Sequence, residues 1–391
     1  MNKKQTRRHF IGNTLKAGIS IPILGNSLLS CNSKGKEQKS TENDRSSKLK
    51  ILILGGTSFL GPHQIAYAMS RGHTISTFTR GKTKPSIHKE LFENVESLIG
   101  DRVDNLEALK NRKWDAVIDN SGHNVEWTRD TADLLKDNVG LYIFTSSTGV
   151  YYPYLGDDIK EDTELLLTEP EGIEDEEMKM EYWYGVMKSN SEIEARKYFG
   201  PDRTIVVRPT YMVGPADKSD RFIYWPIRLA RGGEIMVPGK SDDPVQFIDV
   251  RDVAEWMIRL IEEKNSGTYN AVGPKPPTGM HAFIKEAHAS FKSDASFVMI
   301  DDYDFLTEHK VPYIIPWIMP VENNYGSARI NNDLAIANGL SFTPLSKTMN
   351  DIHTWWYSDA VTEEHRQDFE SKPDSILARE KSIIENWKNK T

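Results

Sequence analysis

Residues 48–73 read KLKILILGGTSFLGPHQIAYAMSRGH, and the order of residue types here decides the fold class. Ile51 to Leu54 form a short apolar run, Gly55, Gly56 and Gly61 mark a turn, and an amphipathic pattern then continues to about Arg71. A buried strand that runs into a glycine turn and a helix N-terminus makes an anion site. Unpaired N–H groups and the positive end of the helix dipole face the same point there. Glycine is needed where the chain turns tightly and where backbone must approach a pyrophosphate. The whole turn, Gly55, Gly56, Thr57, Ser58, Phe59, Leu60 and Gly61, is therefore expected to bind a dinucleotide cofactor.

The pattern extends outward from this unit. HTISTFTRGK, residues 73–82, reads as a second strand. An acidic residue at its end would hold the 2′-hydroxyl of an adenosine ribose. The chain instead offers Thr79, Arg80 and Lys82, which suits a 2′-phosphate and leans the cofactor, NAD(P), toward NADP; two solvated loop cations are the alternative. WDAVIDNS (114–121), LYIFTSS (141–147) and RTIVVRPT (203–210) follow at the spacing of strand–helix units. This alternation predicts an α/β fold, a doubly wound parallel sheet of Rossmann type with a smaller C-terminal substrate lobe. Ligands in such sheets lie at the carboxyl ends of the strands. Asn120 and Pro209 fall there and join the expected cofactor-binding residues. His123 falls there too, as a substrate-facing candidate for which a structural imidazole is the plainer reading.

Within EYWYGVMKSNSEIEARKYFG (181–200), a predicted helix, Tyr184 and Lys188 are four residues apart and project from one face. A tyrosine with a pKa near 10 is a poor base at neutral pH. A lysine one turn away and an oxidised nicotinamide favour the phenolate. Lowering the pKa by about 3 units takes roughly 4 kcal/mol, within reach of two close cations in a water-poor cleft. Ser147, at the tip of LYIFTSS, is placed to donate a hydrogen bond to the reacting oxygen.

Together GGTSFLG, IGDRVD, FTSSTGVYY, YGVMK, RPTYMVGP, VQFIDVRDVAEWM and ANGLSFTPLSKTMNDIHTWWYS make the chain resemble the short-chain dehydrogenase/reductase superfamily, in its extended, epimerase/dehydratase-like branch. The resemblance spans residues 49 to about 358. It implies Tyr184 as general base, Lys188 as the partner that lowers its pKa and binds the nicotinamide ribose, and Ser147 as hydroxyl donor. It also places Asp101 near the adenine, with Arg102 beside it in the cofactor site. Three positions depart from the branch. Ser58 stands where a third glycine is usual, Tyr211 where an asparagine is usual, and Val245 where an arginine usually holds a nucleotide-sugar diphosphate. These losses argue against a UDP- or dTDP-sugar substrate. The variant turn and TRGK are closer to an atypical subgroup that includes chloroplast stem-loop-binding relatives.

In place of those anchors, DKSDRFIYWPIRLARGGEIMVPG (217–239) brings aromatics and cations together. Tyr211, Arg221, Tyr224 and Trp225 are expected to bind substrate, a polar ring-shaped compound, since aromatic faces stack on sugars and arginine forks bind hydroxyls or carboxylates. Helical packing with solvated arginines, including Arg228 and Arg231, is the alternative. No metal site is read: there is no HExxH motif or cysteine cluster, and His281 and His288 fit ordinary helix positions.

The 391 residues carry a formal charge of −8, which argues against nucleic acid as a partner. The acidic window 156–182 reads as a solvated insertion. Residues 1–31 have a basic head, an apolar segment and LLSC, the layout of an export signal. TRRHFIG resembles a twin-arginine signal, and LLSC a lipobox that would place a lipid anchor on Cys31, the single cysteine. Residues 32–48 read as a flexible tether, 49–215 as the dinucleotide-binding domain, 216–358 as mainly the substrate lobe and 359–391 as a charged helical tail. The expected protein is an exported, periplasmic or membrane-anchored NAD(P)-dependent oxidoreductase of epimerase/dehydratase type. It would act on a sugar or sugar-like hydroxyl compound by a redox-neutral hydride cycle, with its oligomeric state open. An NADPH-dependent carbonyl reductase and a non-catalytic NAD(P)-binding protein are the alternatives.

Overall fold

The computed structural model describes residues 48–390. The twin-arginine motif, Cys31 and the tether up to residue 47 lie outside the described residues.

Strand β1 (Lys50–Leu54) sits at the centre of the molecule, with Ile51, Leu52, Ile53 and Leu54 all at 0% exposure. Ile51 and Ile53 face one apolar layer and Leu52 and Leu54 the opposite one. Burying each such side chain contributes about 1.5–3 kcal/mol, and a strand apolar on both faces is stable only between two layers of helices. Helix α1 (Leu60–Ser70) follows the glycine turn, and β2 (Thr74–Thr79), β3 (Glu96–Ile99) and β4 (Trp114–Asp119) come next. Then follow α2 (Val125–Leu135), β5 (Val139–Thr145), α3 (Glu176–Phe199), β6 (Thr204–Pro209) and β7 (Met212–Val213).

Beyond β7 the chain forms α4 (Tyr224–Arg231), β8 (Gly233–Pro238), β9 (Pro244–Asp249), α5 (Val250–Glu263) and β10 (Gly267–Ala271). Among the described residues the main sheet has seven strands in the order β10-β6-β5-β4-β1-β2-β3, every neighbour parallel. The order reverses beside β1, which creates the crevice in which such sheets bind ligands. Registers bring the strand ends level: Leu54 pairs with Phe78 and Asp119, and Asp119 with Phe144.

Helix α3 starts at Glu176, earlier than the sequence pattern suggested. Asp175 caps it by accepting from the N–H groups of Glu177 and Met178, and Glu176 and Glu177 face the positive end of the helix dipole. The acidic window is also less solvated than expected. Ile159 is buried and bridges to Ile330, and the Glu161 carboxylate accepts from the Asn270 N–H.

The second lobe adds β11 (Gly273–Gly279), α6 (Met280–His288), β12 (Ala295–Ile300) and α7 (Tyr303–Glu308), and, after the short helix α8 (Asp333–Ala337), α9 (Leu345–Trp356). Its core holds Trp225, Phe283, Trp317 and Trp356. Between β9 and β11, α5 and β10 return to the dinucleotide unit, and α8 does so later: α5 packs on α1, β10 pairs with β6, and Ala335 of α8 is buried in the same core. The smaller lobe is therefore interrupted at 250–271.

The C-terminal helices α10 (Glu363–Ser371) and α11 (Ile376–Lys390) are part of this lobe. Ile383 and Ile384 are buried in its core. The Glu380 carboxylate, almost enclosed, accepts from the Tyr224 hydroxyl at 2.8 Å, the Met236 N–H at 2.9 Å and the Arg228 guanidinium at 2.5 Å. Hydrogen bonds to a buried charge contribute more than neutral ones. Glu380→Gln is expected to lower unfolding stability by about 1.5–3 kcal/mol in urea titration, whereas a loosely attached tail would give no change.

Candidate active site

The glycine turn is shaped by close approaches. Gly55 has φ +82°, and a Cβ on it would come 2.9 Å from the Ser121 Cβ. A Cβ on Gly61 would come 2.3 Å from the Gly56 carbonyl oxygen. Both positions therefore exclude any larger residue. Ser58, where a glycine was missed, is exposed and points its side chain away from the packing, which is why the turn tolerates it. Phe59 is half-buried and Leu60 is buried in the core, so their side chains face the protein and only their backbone N–H groups could meet a ligand at the turn. No side chain caps α1 and no acidic residue lies in its first turn, so its positive end is open to an anion. His63, buried one turn further on, donates from Nε2 to the Pro215 carbonyl at 3.3 Å; burial pushes its pKa down to about 4, leaving it neutral.

Arg80 is exposed just beyond β2. Asp101 stands past β3 in a tight backbone pair with Asn105, flanked by Ile99 and Val103, exposed at 55% and 67%. Pro209 closes the end of β6 as a buried wall.

Two cofactor expectations change. Arg102 is not free to bind a ligand. Its guanidinium forms a two-pronged pair with Asp119, at 2.5 and 2.9 Å, and also donates to the Ser121 hydroxyl and the Trp127 carbonyl. The reason is electrostatic: Asp119 is fully buried and needs a charge partner. The Asn120 amide, likewise, is engaged inside the protein by Gln64 and Thr145.

Ser147, Tyr184 and Lys188 come together at the end of β5. Ser147 Oγ accepts from the Gly149 N–H at 3.0 Å, and a Cβ on Gly149 would lie 2.9 Å from the Tyr184 ring and 3.3 Å from Ser147 Oγ. Glycine at 149 thus lets the tyrosine lie against the turn beside the serine. Gly185 has the same function from the helix side, since its Cβ would come 2.6 Å from the Gly149 carbonyl oxygen. The nearly buried Lys188 donates to the Thr145 carbonyl at 3.0 Å, with Nζ 6.0 Å from the Tyr184 ring centre and 5.0 Å from that of Phe144. His123 is exposed on the neighbouring strand end, yet enough protein surrounds its ring to disfavour the charged form, an effect the Lys188 charge reinforces.

The substrate candidates divide. Tyr211 is half-buried, and the Arg221 guanidinium lies 5.9 Å from its ring centre while donating to the Ser219 hydroxyl. Tyr224 and Trp225 are core residues, which corrects their assignment to substrate. They are 1% and 0% exposed, with the Tyr224 hydroxyl bound to Glu380 and the indole N–H to the Ile315 carbonyl. The apolar stripe of α4 faces the second-lobe core, so helical packing decides this stretch. Arg228 and Arg231 pair with Glu380 and Glu370. Val245 is fully buried, so no cation occupies that place.

Comparison with known proteins adds the family. The profile of the NAD dependent epimerase/dehydratase family matches residues 51–272, the span that covers the main sheet from the second residue of β1 to the end of β10. The chain is similar to the chloroplast stem-loop binding protein of 41 kDa b of Arabidopsis thaliana, 26% identical over 304 residues that make up 70% of this chain and 75% of that one. Its fold is similar to a dTDP-glucose 4,6-dehydratase of Bacillus anthracis solved with NAD, at TM-score 0.57 and 15% identity over 80% of this chain and 98% of that one. It is also similar to the human epimerase family protein SDR39U1 solved with NADPH, at TM-score 0.53 and 17% identity over 78% of this chain and 99% of that one. With more than half of its 391 residues matched, the chain belongs to the NAD dependent epimerase/dehydratase family and is an NAD-dependent, oxidoreductase-like enzyme.

Proposed function

We propose that the chain is an exported NAD(P)-dependent enzyme that epimerises or dehydrates a sugar or sugar-like hydroxyl compound in a redox-neutral cycle. The observation that carries this reading is the meeting of Ser147, Tyr184 and Lys188 at the end of β5, one strand away from the β4 tip that touches the glycine turn. When bound, the nicotinamide supplies a place for a hydride to go and to return from. The residues supply the rest. Tyr184 takes the hydroxyl proton as the C–H bond gives up its hydride. The Lys188 ammonium favours the phenolate and orients the ribose. Ser147 holds the reacting oxygen by a hydrogen bond that strengthens as charge develops there. In an epimerisation the hydride returns to carbon and Tyr184 would give its proton back to the same oxygen at the close of the cycle, so that no net oxidant is consumed. A dehydration would in addition release a neighbouring hydroxyl as water, which needs a second acid–base group.

Two features narrow the substrate. The burial of Val245 removes the cation that would grip a diphosphate, which favours a substrate without one. Tyr211 offers one aromatic face, suited to a pyranose, beside an Arg221 guanidinium that is already paired with Asp217 at 3.3 Å. The −8 charge disfavours a stem-loop RNA as partner, despite the name of the plant relative. Export rests on TRRHFIG, with Cys31 as the anchor. No pool of free NAD(P) can be assumed outside the cytoplasm, so a closed cycle fits an exported chain better than net reduction does.

The test is to mix the purified protein with free pyranoses and sugar acids, adding no nucleotide. Product forming without accumulation of reduced nicotinamide supports the cycle. Strict dependence on added NADPH, consumed one per product, identifies a carbonyl reductase instead. For the cofactor, Arg80→Ala is expected to weaken NADPH about tenfold and leave NADH within about twofold, as the loss of one charge-assisted contact implies. Equal effects on both in equilibrium dialysis would remove the case for NADP.

A further inference from the structure

The hydrogen bonds described so far leave one buried group without a task. Gln64 lies on α1, is 0% exposed, and its Oε1 accepts from the Asn120 amide at 2.6 Å. Its Nε2 faces the Met257 sulfur at 3.3 Å and the Asn120 Oδ1 at 3.5 Å. The Thr145 hydroxyl donates to that same Asn120 Oδ1 at 2.8 Å, and the Thr145 carbonyl receives Lys188 at 3.0 Å. Four elements are thereby joined in one line: α1, the end of β4, the end of β5 and α3. Thr145 and Lys188 are 7% and 4% exposed, so water competes little for these bonds.

The line begins where the backbone ties between β4 and β5 stop. The β4–β5 ladder ends at the pair Asp119 and Phe144. Past that pair, the Thr145–Asn120 side-chain bond continues the connection between the two strand ends, and Gln64 fixes which way the Asn120 amide points. An amide pinned on both its oxygen and its nitrogen has one orientation. The Thr145 carbonyl, held on the β6 side by the Ser146 N–H bond to the Val207 carbonyl at 2.7 Å, is thereby held from the β4 side as well.

We infer that Gln64 is a positioning residue that sets the distance between the phosphate-binding end of α1 and Lys188. The inference rests on the cofactor reading of the site. A dinucleotide must satisfy the glycine turn and Lys188 at once, whereas an adenine nucleotide needs only the turn and Asp101. Loss of the relay should therefore weaken a whole dinucleotide and spare its adenine half. A residue that merely fills space would affect both or neither.

The experiment titrates the full chain, stripped of resident nucleotide with charcoal and shown to be folded by circular dichroism, with NADPH and separately with ADP, using isothermal calorimetry. Two variants cut different links: Gln64→Met keeps the volume and removes the amide, and Thr145→Val keeps the carbonyl and removes the hydroxyl. The expected result for each is NADPH affinity lowered about tenfold and ADP affinity within about twofold of the parent, the scale of one or two buried hydrogen bonds. Where Gln64→Met fails to fold, Thr145→Val reads the same relay. Parallel losses for both ligands, or NADPH affinity unchanged in a folded variant, would overturn the inference and leave the cofactor reading intact. A nucleotide-free, folded parent protein that binds neither ligand would overturn both.

Discussion

Tyr184→Phe is expected to lower turnover about 10³-fold, in the range that removal of a general base produces, with melting temperature and bound nucleotide unchanged. The substitution deletes one oxygen and keeps the ring. That ring packs beside Gly149, so the phenylalanine retains its contacts and the change is confined to proton transfer. Lys188 would keep its bond to the Thr145 carbonyl, which does not depend on the tyrosine. Steady-state rates with the substrate found in the sugar screen read the effect directly. Full activity in Tyr184→Phe would revive the non-catalytic binding protein as the better reading.

Asp119→Ala is expected to cost about 3–5 kcal/mol of unfolding stability, because removing one partner of a buried ion pair strands the other charge. Asp119 accepts from both prongs of Arg102, from the Tyr142 hydroxyl at 2.6 Å and from the Ser121 N–H at 3.1 Å. Burial alone would raise its pKa, yet the Arg102 guanidinium outweighs this and holds the carboxyl below its usual value. The pair therefore stabilises the fold at neutral pH and above the ordinary aspartate range. That contribution is lost on acidification as the pH falls through the lower, folded-state pKa. Pairing Asp119→Leu with Arg102→Met, which removes both charges, is expected to recover much of the loss. A single-variant loss under about 1 kcal/mol in urea titration would contradict this account, since it would place the pair among weakly coupled surface ions.

The same pair explains part of what the sequence could and could not convey. Strand β1 was legible because Ile51 to Leu54, buried on both faces, produce an uninterrupted apolar run before a glycine turn. Tyr184 and Lys188 were legible because helical spacing alone puts them on one face. Arg102 was misassigned because an arginine next to the expected adenine contact looks like a ligand group. Its real partner, Asp119, is 17 residues away and becomes its neighbour only through the sheet. Tyr224 and Trp225 were misread for a related reason. Their spacing with the nearby arginines suits a binding face and a packed helix equally, and Glu380, which takes the tyrosine hydroxyl, lies 156 residues further on. Gln64 carried no signal at all. A lone glutamine in an amphipathic helix gains meaning only when the ends of β4 and β5 arrive beside it. The interrupted second lobe was hidden likewise, since nothing local in the sequence of α5 and β10 says which sheet they join.

The central claim is that a dinucleotide fold works outside the cytoplasm by keeping its cofactor and returning the hydride. Native mass spectrometry of the protein collected after export tests this most directly. The account predicts one NADP(H) or NAD(H) bound per chain, surviving dialysis. A nucleotide-free protein that turns over only while NADPH is supplied would contradict it.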